Sequence, residues 1–504
     1  MNLLKQFKTM LQRHQRSLLV ALLLAVLLVP RMTHFAGSID EPHSWRQCDT
    51  ANYALAFYKE GIQLLRPSVC WMGSYKTVIL EFPFPEALMA FMYHILGYHL
   101  YLARFVTFLF FAGSAIYLYL IVCHVLRKRL AIIATTVYMM LPLSLFYSRA
   151  VHVDFFAVFF SHAMTYHLIR VSQGPSRRHL ILGLVGGCMA FLIKAPYAFY
   201  FGLPLLVLTL HGPKLRKIVY LAVGLCVPIV VFILWRGYAE TINETAPEWG
   251  FLPGYFKLVN MGNWYYGPLE MRWNLTVWQT LFSRFIHEVA SPAGAALFMI
   301  GAFLSFISLL KRRSQADLFL WTWLLGVLSY VAVFLNLNFI HDYYQIPLLA
   351  IASIFIAIAI ELPVQLFGRS TGRFAWIMSL FLYGLVAVNS LTYAEAHFFK
   401  LDSIRIEAGE VINRHTPPDA LIIAAPDIPG TDCRDPRLLY RAKRNGWSIY
   451  KEQLSPDLIA ALKGLGAQYL VVVAPVENVD ELYGYRPEAY PLSNIPWNVF
   501  IAKL

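Results

Sequence analysis

Long apolar runs separated by short polar stretches fill the chain as far as about residue 395. The runs are continuous and do not alternate between apolar and polar positions, so they predict membrane-crossing helices and not strands. They lie at roughly 17–36, 100–126, 130–147, 155–171, 180–194, 197–212, 218–236, 289–310, 318–336, 345–363 and 375–395, which makes about eleven spans. Phe84 to Gly97 is apolar but too short to cross a bilayer, and it predicts a helix lying on the outer membrane surface. The first outer loop then covers about 37–98, and a second long one covers about 237–287. No inverted repeat is evident. Past Ala394 the pattern changes: Leu421–Ala425 and Tyr469–Val473 predict buried strands, Pro456–Leu465 a helix, and Asn498–Leu504 a closing strand. The expected architecture is a polytopic α-helical membrane module over 1–395, followed by a small extracytoplasmic α/β domain over 396–504.

Composition supports this reading. Hydrophobic residues make up 58% of the 504 and charged residues 14%, against about a quarter charged in a soluble protein. The net charge of +13 could suggest nucleic acid, but the positions argue for lipid. Arg127-Lys128-Arg129, Arg170 with Arg177-Arg178, Lys214 with Arg216-Lys217, Lys311-Arg312-Arg313 and Arg369 with Arg373 sit in short loops two crossings apart, which places them all on the cytoplasmic side. Lys5, Lys8, Arg13 and Arg16 precede the first run and no small-residue cleavage site follows Pro30, so an uncleaved first helix with a cytoplasmic N-terminus is expected. Six cysteines are too few and scattered for a disulfide scaffold. A Cys48–Cys70 bridge is one open reading on an oxidising side.

The informative exceptions are polar. Ser44-Trp45-Arg46-Gln47-Cys48-Asp49-Thr50-Ala51-Asn52-Tyr53 follows the first apolar run, where charged residues are costly and mark either a helix cap or a site. Charge topology carries Asp49 and Glu81, then Arg149, His152 and Asp154, then Lys194, and finally His341, Asp342, Tyr343 and Tyr344 to the same outer face. Singly, each has a bland reading: a snorkelling cation, a helix cap or an interfacial aromatic. Together they favour a site in which an acid serves as general base and cations meet an anionic leaving group. The chain carries no glycine-rich loop for a soluble nucleotide, which suits a lipid-linked phosphate substrate. Metal ligation by Asp49, Glu81 and Asp154 is the competing reading, though no Asp-x-Asp pair or His-x-x-x-His spacing occurs.

These motifs resemble the GT-C membrane glycosyltransferases, in particular the protein O-mannosyltransferase and lipid A aminoarabinose transferase group. Asp49-Thr50-Ala51-Asn52-Tyr53 is similar to a first-loop Asp-Glu with a Tyr four residues after the Asp, with Thr50 in place of Glu. Glu81-Phe82-Pro83-Phe84-Pro85, Ala103-Arg104, Arg149-Ala150 with Asp154, Lys194-Ala195-Pro196 and His341-Asp342-Tyr343-Tyr344-Gln345-Ile346-Pro347 resemble later elements in the family's order. Asp40-Glu41 is a literal Asp-Glu pair that lacks the Tyr, so Asp49 is preferred. The resemblance implies an inverting sugar transfer from a polyprenyl-phosphate donor to a lipid, glycan or protein hydroxyl, on the extracytoplasmic face of the inner or plasma membrane. It implies Asp49 as the base, Lys194, Arg149, Arg104 and His341 around the donor phosphate, and Glu81, Asp154, Tyr53, Tyr343 and Tyr344 positioning sugar or acceptor. No cofactor is implied, and Trp45, Arg46 and Gln47 receive no role. A transporter or flippase of a lipid-linked sugar is the rival reading, for which paired interrupted helices and internal repeats would be the signature. The Asn243-Glu244-Thr245 and Asn274-Leu275-Thr276 triplets read as chance sequons.

Overall fold

The computed structural model describes residues 25, 28–73, 77–174, 176–207, 215–245, 247, 250–367, 372–475, 481–493 and 495–504. The expected first span at 17–36 lies largely outside them. Among the described residues six helices are long and apolar enough to cross a membrane: Leu100–Val125, Leu215–Asn243, Pro292–Arg312, Gln315–Val333, Asp342–Phe367 and Gly372–His397. Three further expected spans fall on Lys128–Met140, Asp154–Gln173 and Arg177–Lys194. The one expected at 197–212 is represented by two short pieces, Pro196–Phe199 and Gly202–Val207.

Ile346–Phe367 is the hub of the bundle. It packs against Pro292–Arg312, Lys128–Met140 and Gly372–His397, and it is buried along most of its length. Small residues permit this: a Cβ on Gly301 would lie 1.8 Å from the Phe355 carbonyl oxygen, so only glycine lets the two helices approach. The faces of the outer helices carry exposed Leu, Ile, Val and Phe, as lipid-facing surfaces do.

Two loop helices lie at the end of the bundle that carries Asp49. Ser44–Glu60 carries Asp49 and packs on Phe84–Leu96, the short apolar segment that does form a helix. The chain enters the first of these through a two-residue antiparallel ladder, β1 (Asp40–Glu41) with β2 (Lys400–Leu401), which ties the first outer loop to the end of the last long helix. The C-terminal sheet has the order β4-β3-β5-β7-β6, with β3 Leu421–Pro426, β4 Asn445–Ser448, β5 Tyr469–Ala474, β6 Glu488–Pro491 and β7 Asn498–Lys503. β3 runs parallel to both β4 and β5, and β7 runs antiparallel to β5 and β6. Three of these strands match the apolar runs read from sequence. The edge strands β4 and β6 carry no such run, because Gly, Asn, Ser and Pro occupy much of them.

Candidate active site

The Asp49 helix begins with the segment that had no assigned role, and each of its residues holds something. Gln47 Nε2 donates to the carbonyls of Asp40 (2.9 Å) and Pro42 (3.3 Å), while its Oε1 accepts from the Val151 amide (3.3 Å). The Trp45 ring lies under the guanidinium of Arg437 from the C-terminal domain, 5.2 Å from its centroid. Arg46 pairs with Glu81. These ties fix the first turn and hence the direction in which Asp49, one turn on, presents its carboxylate.

Asp49 is 6% exposed, and its Oδ1 accepts a hydrogen bond from the Trp71 indole N–H at 3.1 Å. Burial pushes its carboxyl up to about 7; Arg46 and the Trp71 N–H pull the other way, while Asp435 and Glu81 add to the rise. A carboxyl poised there can accept a proton at neutral pH and release it again. The Arg46–Glu81 pair is the more open part of the cluster, its side chains 14% and 26% exposed. Glu86, buried near Arg46, is held up at about 8 chiefly by desolvation, and its Oε2 has no hydrogen-bond partner among the described residues.

Across from this helix stands a second group. Asp154 opens the helix Asp154–Gln173, accepts from Lys194 Nζ at 2.8 Å, and lies against the Tyr197 hydroxyl and the His152 ring. The Lys194 ammonium lies 4.1, 4.6 and 4.9 Å from the ring centroids of Tyr344, Tyr343 and Tyr197. One carboxylate and three aromatic faces therefore hold this cation. The 3₁₀ turn Asp342–Gln345 aims its tyrosines inward because Tyr197 donates to the Tyr343 carbonyl (2.6 Å) and Tyr330 to the Tyr344 carbonyl (2.7 Å). His341 stacks on Tyr343 with centroids 4.9 Å apart, and burial pushes its imidazole down to about 3, so it is neutral. His43 faces it at 5.2 Å and ion-pairs with Asp342 at 3.1 Å. Burial opposes charge on His43, but Asp342 outweighs it and His43 titrates above its ordinary range.

The structure thus brings together Asp49, Glu81, Asp154, Lys194, His341, Tyr343 and Tyr344 from five segments of chain. Three expected members are elsewhere. Arg104 donates to the carbonyls of Phe35 (2.9 Å), Gly37 (2.9 Å) and Ser38 (2.7 Å) and to Asp40 Oδ2 (3.1 Å). Arg149 reaches the same Asp40 oxygen at 2.6 Å and lies 4.8 Å from the Phe399 centroid. Both guanidinium groups are fully buried and turn their terminal nitrogens to Asp40 and backbone carbonyls, so the expectation of donor-phosphate ligands is corrected to anchors of the first loop. Tyr53 is buried too, and its hydroxyl donates to the Val78 carbonyl at 2.6 Å, which holds the first loop. The same geometry makes Asp40 a buried counter-ion, unlike Asp49.

Sequence reasoning placed Asp342 with the group but gave it no role, and it missed Arg46, His43 and Glu86 as members of the set. For Arg46 the signal was present, a cation three residues before the acid; His43 left none. Among the described residues no group of three or more His, Cys, Asp and Glu side chains is arranged to hold a metal ion. The three carboxylates considered for one face Trp71, Arg46 and the Lys194–His152 pair. The described cysteines are all free, Cys48 and Cys70 included. The Asn243 amide is spent on both backbone groups of Ile79 (2.9 and 2.7 Å), and Asn274 caps the helix Leu275–Arg284.

Residues 81–235 match the sequence model of the family described as dolichyl-phosphate-mannose-protein mannosyltransferase. No curated protein sequence matches the chain. ArnT from Cupriavidus metallidurans bound to undecaprenyl phosphate aligns over 97% of this chain and 98% of its own, at 12% identity and a TM-score of 0.63. The oligosaccharyltransferase AglB from Archaeoglobus fulgidus, in complex with an inhibitory peptide and a dolichol-phosphate, aligns over 89% and 69%, at 13% identity and a TM-score of 0.52. The arabinofuranosyltransferase AftD from Mycobacteria aligns over 90% of this chain and 36% of its own, at 15% identity and a TM-score of 0.50. The chain is a membrane protein with the GT-C fold that these glycosyltransferases share.

Proposed function

We propose that the protein is an inverting glycosyltransferase that moves a sugar from a polyprenyl-phosphate donor to a hydroxyl acceptor on the extracytoplasmic face. The observation that carries this reading is a buried carboxylate poised near neutrality, Asp49, beside cations that can receive a phosphate. The two structural neighbours whose names include a polyprenyl phosphate support the choice of donor.

In this mechanism Asp49 accepts the proton of the acceptor hydroxyl as its oxygen attacks the anomeric carbon. The bond from that carbon to the donor phosphate oxygen breaks on the opposite face, through a transition state with oxocarbenium character, and the electron pair leaves with the phosphate. Lys194, held by Asp154 and by ring faces, and Arg46 stabilise the phosphate as its charge grows, with His43 at the rim and neutral His341 as a hydrogen-bond partner. Glu81 and the Tyr343/Tyr344 pair line the path for sugar or acceptor. Asp154 orients Lys194. Each charge developed in the step has a protein partner, so the proposed step is written without a divalent metal.

Asp49→Asn tests the proposal. Transfer from a panel of polyprenyl-phosphate sugars should fall by about 10²–10⁴-fold, while binding of polyprenyl phosphate and the melting temperature stay near wild type. Transfer at the wild-type rate would sink the assignment of the base. Mass spectrometry of surface glycans and lipids after deletion of the protein would identify sugar and acceptor. Movement of the lipid-linked sugar across vesicles with no transfer product would favour the transporter reading.

A further inference from the structure

Besides the contact of Arg437 with Trp45, the C-terminal domain reaches the candidate centre through a short segment of the first outer loop. β4 is an edge strand of its sheet, and its free edge is taken by Cys70–Gly73. The Gly446 N–H donates to the Cys70 carbonyl at 2.9 Å, and the Gly73 N–H donates to the Gly446 carbonyl at 2.8 Å. The loop segment is thereby added to the domain's sheet by main-chain bonds. Side chains make the junction tight. Gly73 has φ +53°, and a Cβ there would fall 2.3 Å from the buried ring of Trp447. Between the two clamped glycine contacts stands Trp71, itself buried, whose indole N–H is the donor to Asp49 Oδ1 at 3.1 Å.

We infer that the C-terminal domain positions the acid of the transfer centre: β4 grips Cys70–Gly73, and Trp71 from that segment fixes one carboxylate oxygen of Asp49, leaving the other to work. Trp71 is a positioning residue in this arrangement. The inference rests on the reading of Asp49 as the base, and it assigns the appended domain a role in the reaction centre. The other ionisable groups facing Asp49 are Arg46, Cys48 and Tyr53 on its own helix, Glu81 and Cys70 from the first loop, and Asp435 from the C-terminal domain. Asp435 is already paired with Arg437 at 2.7 Å and Arg405 at 3.7 Å, so Trp71 is the domain-held group that donates to the carboxylate.

Infrared titration of the detergent-solubilised full-length protein can read the Asp49 carboxyl directly, as the protonated band that Asp49→Asn removes. A donor to the charged form lowers a carboxyl pKa, so Trp71→Phe should raise the Asp49 midpoint by about one pH unit. Gly73→Ala should raise it as well, although it leaves the indole intact, and the double variant should shift no further than the larger single one. If Trp71→Phe folds poorly, the sulfur isostere of tryptophan, β-(3-benzothienyl)alanine, placed at position 71 removes only the N–H and should give the same shift. An unmoved midpoint in the folded isostere variant would overturn the role of Trp71. An unmoved midpoint in folded Gly73→Ala would overturn the role of the domain. The transfer assay separates the two readings: activity in Asp49→Asn with shifted midpoints removes the base and keeps the link, whereas lost activity with unmoved midpoints removes the link alone.

Discussion

Two clusters of charge grow from the same stretch of chain, and they are built on opposite rules. In the first, Asp40 receives Arg104 at 3.1 Å, Arg149 at 2.6 Å and His34 at 2.6 Å, and both arginines are fully buried. The remaining guanidinium N–H groups turn largely to carbonyls of residues 33–38. In the second, Arg46 and Glu81 stay partly open, Lys194 has one carboxylate and three ring faces, and Asp49 has a single indole donor. Charges of the same kind thus lock a loop where every partner is internal. They form a candidate site where Arg46 and Glu81 keep part of their surface open. Arginine serves the first use well because its fork of donors can satisfy several carbonyls at once. Lysine among aromatic faces serves the second, since a ring holds the charge without consuming a hydrogen-bond acceptor.

The contrast can be broken from either side. In the locked cluster, Arg104→Met leaves Asp40 and several carbonyls short of a partner, and breaking a buried pair in this way costs about 3–5 kcal/mol. The expected outcome is a large fall in melting temperature and folded yield, with KM for the donor unchanged in whatever folds. A raised KM at full stability would return Arg104 to the donor site. In the open cluster, Lys194→Met should do the reverse, lowering kcat/KM for a polyprenyl-phosphate sugar roughly 10²-fold, the scale of one lost electrostatic stabiliser. Lys194→Arg should recover part of that loss, since charge matters more than shape there. Equal loss in both Lys194 variants would count against a phosphate role. Between these lies Tyr53→Phe, which removes one buried hydrogen bond to Val78 and should cost about 1 kcal/mol of stability with kcat unchanged. A fall in kcat at unchanged stability would put the Tyr53 hydroxyl back among the substrate contacts.

The same contrast explains what could be read from the chain beforehand. Counting crossings between loop charges alone carried Asp49, Glu81, Asp154, Lys194 and His341–Tyr344 to one end of the helices. It could not separate Arg104 and Arg149 from Lys194. All three are cations near the outer end of a helix, and what divides them is which side chain meets Asp40, a contact 64 and 109 residues away in sequence for the two arginines. Trp71 was invisible for a similar reason, since an indole in a loop gives no hint of its acceptor. In the C-terminal domain, β3, β5 and β7 are buried apolar runs and were legible. β4 was not, because its role is carried by the backbone of Gly446 and the ring of Trp447, neither of which makes a pattern along the sequence.

The smallest expected effect is the most specific, because it concerns only the balance of charge around Asp49. With its carboxyl raised to about 7, chiefly by burial, Asp49 is the working base only when ionised. Transfer should therefore fall tenfold per unit as pH drops below about 7 and level off above it. Glu81 contributes to that rise in two ways: its own negative charge disfavours a second one nearby, and it engages Arg46, the cation that would otherwise favour ionised Asp49. In Glu81→Gln both effects are gone, so the acid limb of kcat/KM should move to lower pH, by about half a unit. The plateau also drops if the Glu81 carboxylate touches sugar or acceptor, but a lost contact lowers the whole profile and leaves the limb where it was. Position and height are therefore separate readings from one titration. A limb that moves upward in Glu81→Gln would mean that Arg46 leaves Asp49 when freed, and the open cluster would then be arranged around a different acid.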